Sequence, residues 1–548
     1  MHPPTDTRGL IPRRRFLHAT AASVLSAAVA PARLTPARAA AAIPAPTANP
    51  DFSELDAKIR AGMAQYGIPG VAVAVLAQGR EYIQGYGVTN VDYPVPVDGD
   101  TLFRIGSTTK TFTGTTVMRL VEQGMLALDA RVRTYLPDFT TKDPSAAARV
   151  TLRQLLNHSA GWLGDDLEDN GPGDDALAEY VKGMARLPQL TPLGKVFAYN
   201  NAAVALAGHV IEVATGKTYE DAVRELLLDP LGLTHSFFFS DEIIGFNVAA
   251  SHDVEDGQPK VDPKLWPQIG RSLHPTGGLI SSARDQLQYA RFHLGDGTAP
   301  DGTRLLSHAS LVAMRSNPGP GGTVLVELDG VGVNWMLRPS AEGVRIVQHG
   351  GTVPGQLSGF LMVPDLGFAF TLLTNSEGGG QLVDELFNDD WALRRFAGIS
   401  NLPAVPRALS PSELAPYEGR YTAEVIEFDG TVHELLVNLQ GDQGQLHMTL
   451  TESETVRTFT SPGGVEFRLA FYRDDFVLVL DATGQPNGSR SDFVRDAQGR
   501  VVWLRFHGRL YRGKTPRIGR GGTTMPDAAI QGVRRNDQGR VRGLLQYP

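Results

Sequence analysis

Hydrophobic and polar positions alternate between two spacings over residues 51–396. Near both ends of this region, short apolar segments occur in pairs around turn residues, at 71–76 with 81–85 and at 359–363 with 368–374. Segments paired in this way predict two β-hairpins, one turning at Gln78-Gly79 and the other at residues 364–367. After Ser107 the apolar residues fall at helical intervals, and the pattern of residues 382–396 predicts a closing amphipathic helix.

Hairpins at both ends with helices between them favour one antiparallel sheet, formed by the two ends of the domain and covered by helices. The expected fold class is therefore an α/β (α+β) domain over residues 50–397, with a helical subdomain inserted in it. A domain of this length is large for a single hydrophobic core, and the helical insertion accounts for its size.

A different pattern follows a proline-containing stretch. Residues 398–412 contain three prolines and lack periodicity, which is typical of a linker. Beyond them apolar residues alternate with polar ones, for example at Leu446, Met448 and Leu450, and Gly-, Asp- or Asn-containing turns separate the segments. Several short strands of this kind predict a small all-β barrel or sandwich over residues 413–512.

The two ends of the chain differ from the rest. Residues 1–39 contain Arg13-Arg14-Arg15-Phe16-Leu17, then a short apolar run, and then the small residues of Ala37-Arg38-Ala39. This order resembles a twin-arginine export signal, which predicts a periplasmic or secreted protein; the alternative is an arginine-rich disordered start. Residues 513–548 are rich in Gly and Arg and carry a net charge of +5. They repeat a turn-like sequence of residues 494–501, so they are either disordered or form one further hairpin.

Composition narrows the possible chemistry. The 548 residues include no Cys, which excludes disulfides, thiolate metal ligands and cysteine nucleophiles. The net charge is −8, and because the first 39 residues carry +5, the remainder carries −13, which disfavours a nucleic-acid partner. No metal or phosphate-loop motif occurs, so we expect no cofactor and no metal. The N-terminal apolar run is too short to span a bilayer and no apolar stretch of that length follows it, so we expect no membrane span. The expected partner is a small-molecule or peptide substrate, and a homo-oligomer remains open.

Ser107 and Lys110 form the only S-x-x-K in the chain. A spacing of three puts the hydroxyl and the ammonium on one helix face within contact distance, so the lysine can ease deprotonation of the serine. Unpaired N–H groups and the positive dipole end at a helix start stabilise an alkoxide and a developing oxyanion. The alternative, a serine cap beside a surface lysine, is the commoner explanation of an isolated S-x-x-K.

Tyr199 and Asn201 form the only Y-x-N in the chain. A phenol beside a cation has a lowered pKa and can shuttle a proton, and the Asn201 amide can donate a hydrogen bond to a substrate carbonyl. The alternative for Tyr199 is a half-buried core aromatic whose hydroxyl has a structural partner.

His349-Gly350-Gly351-Thr352 immediately precedes the late hairpin. The glycines permit close approach of an extended substrate to the strand, and the N–H groups of Thr352 and Ser107 can together bind an oxyanion. An H-x-G sequence also occurs at His293, where a helix followed by a Gly explains it, so the motif is informative only through its place before the strand.

The order and spacing of the three motifs resemble those of the penicillin-recognising serine hydrolases. Over roughly residues 52–397 the chain resembles the serine β-lactamase-like family, in its class C β-lactamase, D-aminopeptidase and esterase branch. Residues 67–70, 101–107, 155–161 and 276–285 also match this pattern. A C-terminal barrel of the lipocalin-like kind is similar to the second domain of the peptidase members.

The resemblance implies a catalytic role for each motif. Ser107 is expected to be the acylated nucleophile, Lys110 its activating neighbour, and Tyr199 the general base and acid. The backbone N–H groups of Ser107 and Thr352 are expected to form the oxyanion hole.

The resemblance also implies that Asn201, His349 and Gly351 bind substrate. His349 stands where the family usually has the Lys of K-T-G, which is a departure from the family pattern. Because histidine is largely neutral near pH 7, it offers no permanent positive charge to the carboxylate of a penicillin. High β-lactamase activity is therefore not expected.

These expectations converge on an exported serine hydrolase that forms an acyl-enzyme with small amides or peptides, D-amino-acid-containing ones included, or with esters. One alternative is a β-lactamase or D,D-carboxypeptidase. Another is a catalytically silent protein that binds cell-wall fragments in the same cleft.

Overall fold

The computed structural model describes residues 51–263, 269–452, 465–481 and 483–514. The predicted export signal and the basic C-terminal segment lie outside these residues. The α-helices of the described part are α1 (Ser53–Tyr66), α2 (Thr109–Glu122), α3 (Pro144–Ala147), α4 (Leu152–Leu156), α5 (Ala176–Gly183), α6 (Asn201–Thr215), α7 (Tyr219–Val223), α8 (Asp229–Leu231), α9 (His274–Gly277), α10 (Ala283–Leu294), α11 (His308–Ser316), α12 (Gly379–Val383) and α13 (Pro411–Leu414).

Thirteen strands of the described residues precede the predicted linker. They are β1 (Gly70–Ala77), β2 (Arg80–Gly87), β3 (Phe103–Arg104), β4 (His252–Glu255), β5 (Gln258–Val261), β6 (Ile280–Ser281), β7 (Gly322–Val324), β8 (Val326–Leu328), β9 (Gly330–Val331), β10 (Met336–Pro339), β11 (Arg345–Val353), β12 (Gln356–Val363) and β13 (Phe368–Thr374). Seven of them form one antiparallel sheet in the order β2-β1-β13-β12-β11-β10-β9.

The two ends of this domain meet in the middle of the sheet. β1 pairs with β13, with Val71 opposite Thr374, and each belongs to one of the predicted hairpins. Gln78 and Gly79 both have positive φ, 54° and 75°, as a two-residue type I′ turn requires. The expectation of an antiparallel sheet built from both ends of the domain is confirmed.

Both faces of the sheet are buried. On β1 the odd-numbered residues Val71, Val73 and Val75 pack with α1 and α12 in one core cluster. The even-numbered Ala72 and Ala74 belong to the larger cluster on the other face, which includes residues of α2, α6 and α10. A strand buried on both faces is continuously apolar, and the seven-residue run 71–77 has that composition.

The predicted closing helix of residues 382–396 is interrupted in the structure. α12 continues into a π-helical turn, Asp384–Asn388, and a second π-helical turn follows at Leu393–Ala397. Between them Asp390 has a φ of 61°, and its carboxylate accepts a hydrogen bond from the backbone N–H of Asn401 at 2.6 Å. A residue with a φ near +60° cannot continue a right-handed helix, so the apolar spacing is helical although the helix is not continuous.

The C-terminal strands close into an eight-stranded antiparallel barrel. These strands are β14 (Gly419–Ile426), β15 (Val432–Asp442), β16 (Gln445–Glu452), β17 (Val465–Arg473), β18 (Phe476–Leu480), β19 (Pro486–Arg495), β20 (Val501–Phe506) and β21 (Arg509–Lys514). The alternating residues Leu446, Met448 and Leu450 are buried in its core. Of the two predicted alternatives, a barrel and a sandwich, the structure is the barrel. Because the barrel is closed, it has no open sheet edge.

The barrel packs against the first domain through β19. The backbone N–H of Arg490 donates to the carbonyl of Leu325, between β7 and β8, at 2.7 Å. The carboxylate of Glu327 on β8 forms ion pairs with Arg473 and Arg490 of the barrel. No helix in the described ranges combines the length and apolarity that crossing a bilayer requires.

Candidate active site

Ser107 and Lys110 lie where the sheet meets the start of α2. Ser107 is in the 3₁₀ turn Gly106–Thr108 that leads directly into α2, and its side chain is half-buried. The Nζ of Lys110, one turn later, is 2.9 Å from the Oγ of Ser107 and donates to the carbonyl oxygen of Thr276 at 2.6 Å. The S-x-x-K spacing therefore produces a direct contact between the hydroxyl and the amine.

Lys110 is fully buried. Burial lowers the pKa of its amine well below the usual value, the nearby Arg509 lowers it further, and Asp165 opposes the decrease. An amine with a lowered pKa is neutral over a wider pH range and can accept a proton. The surface-lysine alternative is therefore excluded by the position of the side chain.

Tyr199 is also buried, beside the same lysine. Its ring centroid is 5.0 Å from the Nζ of Lys110, and the ring stacks on His158 at 4.7 Å. From the sequence, a neighbouring cation was expected to lower the pKa of the phenol. The structure corrects this, because burial raises the pKa of Tyr199, although Ser107 and Arg509 oppose the rise.

The hydroxyl of Tyr199 has no hydrogen-bond partner of normal geometry within the described residues. Its interaction with Ser107 is therefore longer or less well aligned than an ordinary hydrogen bond. A buried hydroxyl without a partner is rare in folded proteins, and such groups are concentrated at functional sites. The structural alternative for Tyr199, a core aromatic with a satisfied hydroxyl, does not fit this geometry.

Asn200 and Asn201 fix the backbone after Tyr199. The side chain of Asn200 caps α6 by accepting from the N–H of Ala203 at 2.7 Å, and it donates to the carbonyl of Trp162 at 2.9 Å. The Nδ2 of Asn201 donates to the Oδ1 of Asp165 at 3.0 Å. Because an ionised carboxylate only accepts hydrogen bonds, Asp165 determines which end of the Asn201 amide faces it.

His349 lies on β11 with its ring centroid 6.2 Å from that of Tyr199. Its Nδ1 is 2.6 Å from the carbonyl oxygen of Gly350, so this nitrogen carries the proton, and its Nε2 has no partner among the described residues. Burial and the neighbouring Lys110 lower the pKa of His349 to about 3. The histidine at the position of the family lysine is therefore neutral at physiological pH.

Gly351 allows β11 to approach the Ser107 turn. A methyl group added to Gly351 would lie 2.0 Å from the carbonyl oxygen of Ile105 and 2.7 Å from the backbone nitrogen of Ser107. A methyl group on Gly106 would lie 2.7 Å from the backbone nitrogen of Thr352. From the sequence, the glycines were expected to permit substrate approach, whereas in the structure they permit close packing of β11 against the Ser107 turn.

Two charged residues at this site have no counterpart in the sequence motifs. Arg509, at the start of β21 in the barrel, pairs with Asp165, with Nε 2.5 Å from Oδ2 and Nη2 3.3 Å from Oδ1. The Arg509 guanidinium carbon is 5.5 Å from the centre of the Tyr199 ring. The turn residues His507-Gly508 signal a hairpin before Arg509, but nothing in the sequence places that hairpin beside the first domain.

The structure thus brings Ser107, Lys110, Tyr199 and His349 into one site, and the Asn201 side chain contacts Asp165 beside it. The described residues contain no group of three or more His, Asp or Glu side chains arranged to hold a metal ion. The site contains a half-buried serine, a buried amine and a buried phenol. These are the components of covalent acyl transfer.

Comparison with known proteins agrees with this geometry. The Beta-lactamase family matches residues 55–392. The chain belongs to the Beta-lactamase family. This is a family of serine hydrolases with a β-lactamase-like fold, and the eight-stranded barrel that follows fits a lipocalin-like domain.

Individual relatives carry names that refer to different functions. Penicillin-binding protein 4 of Amycolatopsis lactamdurans is 36% identical, over 68% of this chain and 98% of that protein. Unguisins hydrolase ungD of Aspergillus violaceofuscus is 25% identical, over 74% of this chain and 80% of that protein. The crystal structure of SurE, at 27% identity and a TM-score of 0.63, covers 84% of this chain and 99% of its own.

Proposed function

We propose that this protein is an exported serine hydrolase that forms an acyl-enzyme on Ser107. Its substrates are small amides or peptides, including those with a D-residue, or esters. The observation that carries the proposal is the 2.9 Å contact between Ser107 Oγ and Lys110 Nζ, at a lysine whose pKa is lowered by burial. A hydroxyl in contact with an amine of lowered pKa is an activated nucleophile.

In the proposed acylation step, the Lys110 amine takes the hydroxyl proton of Ser107. The oxygen then forms a bond to the substrate carbonyl carbon, and the carbonyl electrons move to its oxygen. The backbone N–H groups of Ser107 and Thr352 bind that oxyanion. When the carbonyl re-forms, the bond to the leaving group breaks and the acyl-enzyme remains.

Tyr199 is proposed to return a proton to the leaving group. Because its pKa is raised by burial, the phenol is protonated in the resting site and can act as an acid. The proton that Lys110 took from Ser107 then restores the phenol, and water completes the cycle by attacking the acyl-enzyme. This assignment gives Lys110 the base role and Tyr199 the acid role, whereas the resemblance implied that Tyr199 serves as both base and acid with Lys110 as its activating neighbour.

Two observations favour peptides and esters over penicillins. His349 is neutral, so β11 offers no cation to a substrate carboxylate at that position. Among the relatives, SurE has been solved with D-Leu, at 26% identity, and another relative is named for hydrolysis of unguisins. The 36% identity with a penicillin-binding protein keeps cell-wall peptide chemistry as the second candidate.

The first test is covalent labelling with a fluorophosphonate probe, followed by peptide mass spectrometry. We expect a single adduct on Ser107, its loss in Ser107→Ala and its retention in Ser412→Ala, where an exposed serine of α13 is removed. An unlabelled Ser107 in the intact protein would favour the silent binding protein and overturn the hydrolase.

The second test is a panel of substrates compared at equal enzyme concentration. A nitrophenyl ester and a D-alanyl anilide should be turned over faster than a chromogenic cephalosporin, with every activity lost in Ser107→Ala. Preferential turnover of the cephalosporin would instead identify a β-lactamase. N-terminal sequencing of protein recovered outside the cytoplasm tests export, for which we expect a start near Ala40.

A further inference from the structure

The barrel reaches the candidate active site through the tight turn between β20 and β21. His507 and Gly508 join β20 to β21 and both have positive φ, 49° and 77°, as in a type I′ hairpin turn. The carbonyl of Gly508 accepts a hydrogen bond from the backbone N–H of Tyr199 at 2.9 Å. A methyl group on Gly508 would lie 3.2 Å from the Cβ of Tyr199, so the turn is packed directly on this residue.

The next residue brings a charge to the site. The guanidinium of Arg509 contacts both oxygens of Asp165 and lies beside the Tyr199 ring, and 28% of its side chain remains exposed compared with 11% for Asp165. Asp165 in turn accepts from the amide of Asn201. Two-point contact of an arginine with a carboxylate fixes orientation as well as charge.

We propose that Arg509 and Asp165 are positioning residues that complete the active site from two domains, with Asp165 orienting the Asn201 amide and Arg509 balancing the carboxylate beside Lys110 and Tyr199. This inference rests on the proposed function, because it concerns the groups that activate Ser107. It assigns the barrel a part in catalysis through the charge pair rather than through substrate contact.

The alternative is that the ion pair only tethers the barrel. The electrostatics separate the two possibilities, because Arg509 lowers the pKa of Lys110 whereas Asp165 raises it. His158 and His349 also face Lys110, but burial lowers the pKa of both, so they add no charge. With Arg509 and Asp165 both present, their effects on the pKa of Lys110 therefore oppose each other. Removing either residue leaves the effect of the other without opposition.

The test is the pH dependence of the Ser107 labelling rate in charge-neutral variants. Activity requires the neutral amine, so the rate rises with pH through the pKa of Lys110. Arg509→Met leaves Asp165 uncompensated and should move this rise to higher pH, whereas Asp165→Asn leaves Arg509 uncompensated and should move it to lower pH. On the lower part of the wild-type rise, well below its midpoint, the rate relative to the plateau should change by about threefold or more in opposite directions.

Three further variants separate charge from tethering. The double variant Asp165→Asn with Arg509→Met should return the rise toward its wild-type position, because both charges are gone. Arg509→Lys keeps the charge without two-point contact, so it should keep the wild-type position with a lower plateau. Arg512→Met, on the same strand but exposed beside Trp503, should change neither quantity.

Each result decides the inference. Opposite displacements in the single variants support it, and equal losses of rate with no displacement overturn it in favour of a tether. If one of the single variants does not unfold cooperatively, the double variant takes its place and is compared with the other single variant. If wild-type Ser107 is not labelled, the proposed function fails and this inference fails with it; if Ser107 is labelled and no displacement appears, only the inference fails.

Discussion

At the scale of single residues, the site consists of buried basic groups with lowered pKa values beside one compensated ion pair. Burial lowers the pKa of Lys110, His158 and His349, while Arg509 is matched by Asp165. Electrostatic effects are stronger in such surroundings than in water, because little solvent screens them. The pH dependence of activity should therefore follow the lysine, since the pKa of His349 is about 3.

The partly buried Glu377 lets a pH dependence of stability be predicted. Burial raises the pKa of Glu377 from 4.5 to about 7, and its Oε1 accepts from the N–H of Gly355 at 3.2 Å, in the turn between β11 and β12. A carboxyl with a raised pKa in the folded state stabilises the fold fully below its unfolded pKa. That contribution is lost as the pH rises through about 7.

Glu377→Gln should remove this pH dependence, because the amide cannot ionise and its oxygen can still accept from Gly355. The measurement is the urea midpoint of unfolding between pH 4.5 and pH 8. We expect a decline with pH in the wild type and a flatter curve in the variant. Glu424→Gln, at an exposed barrel position, controls for loss of a carboxylate as such. Parallel curves for wild type and Glu377→Gln would contradict the prediction.

At the scale of elements, features encoded by neighbouring residues were predictable and long-range contacts were not. The hairpin at Gln78-Gly79 and the barrel strands follow from turn residues and period-two alternation, which are local signals. The interruption before Leu393–Ala397 depends on Asp390 bonding to Asn401, a contact that helical spacing does not reveal.

The same distinction applies to the site. Ser107 and Lys110 lie one turn apart, so their contact follows from helix geometry. Arg509 and Asp165 are 344 residues apart and no motif connects them. The pKa of Tyr199 could not be predicted either, because its direction depends on burial, which the sequence around one tyrosine does not specify.

The close contact between β11 and the Ser107 turn provides a prediction at this scale. Gly351→Ala should sharply reduce Ser107 labelling, because its methyl group would meet the Ile105 carbonyl at 2.0 Å and must displace one of the two segments. Gly350→Ala is the matched control, since its methyl group meets only the Ser358 carbonyl, at 3.3 Å. The labelling rates of the two variants, compared with that of wild type, give the answer. Equal labelling rates in the two variants would show that the close approach of β11 to the Ser107 turn is not needed for the reactivity of Ser107.

At the scale of the whole molecule, a buried ion pair within the barrel contacts β7 and the segment that precedes Tyr199. Asp492 and Arg505 are nearly fully buried, with side-chain exposures of 5% and 3%. Asp492 accepts from Thr323 of the first domain at 2.6 Å, and the Nε of Arg505 donates to the carbonyl of Phe197 at 3.0 Å. Phe197 precedes Tyr199 by two residues, so this interface and the candidate site share one short segment.

Asp492→Ala should therefore affect both stability and reactivity. It leaves the Arg505 guanidinium buried without a counter-charge, which should lower the free energy of unfolding by about 3–5 kcal/mol. Loss of order at Phe197 should also slow Ser107 labelling under conditions where the variant is still folded. Urea unfolding and the labelling rate are the two measurements. Asp474→Ala, which removes an exposed partner of Arg407, should change the free energy of unfolding by about 1 kcal/mol or less.

The double variant Asp492→Ala with Arg505→Met distinguishes the origin of the two effects. Replacing both charges by apolar groups removes the uncompensated guanidinium, so most of the stability should return. The hydrogen bond from Arg505 to the Phe197 carbonyl stays absent, so labelling should remain slow. Recovery of both quantities together would mean that the barrel supports the site only by stabilising the fold, whereas recovery of stability alone would mean that the Arg505 contact itself holds the Tyr199 segment in place.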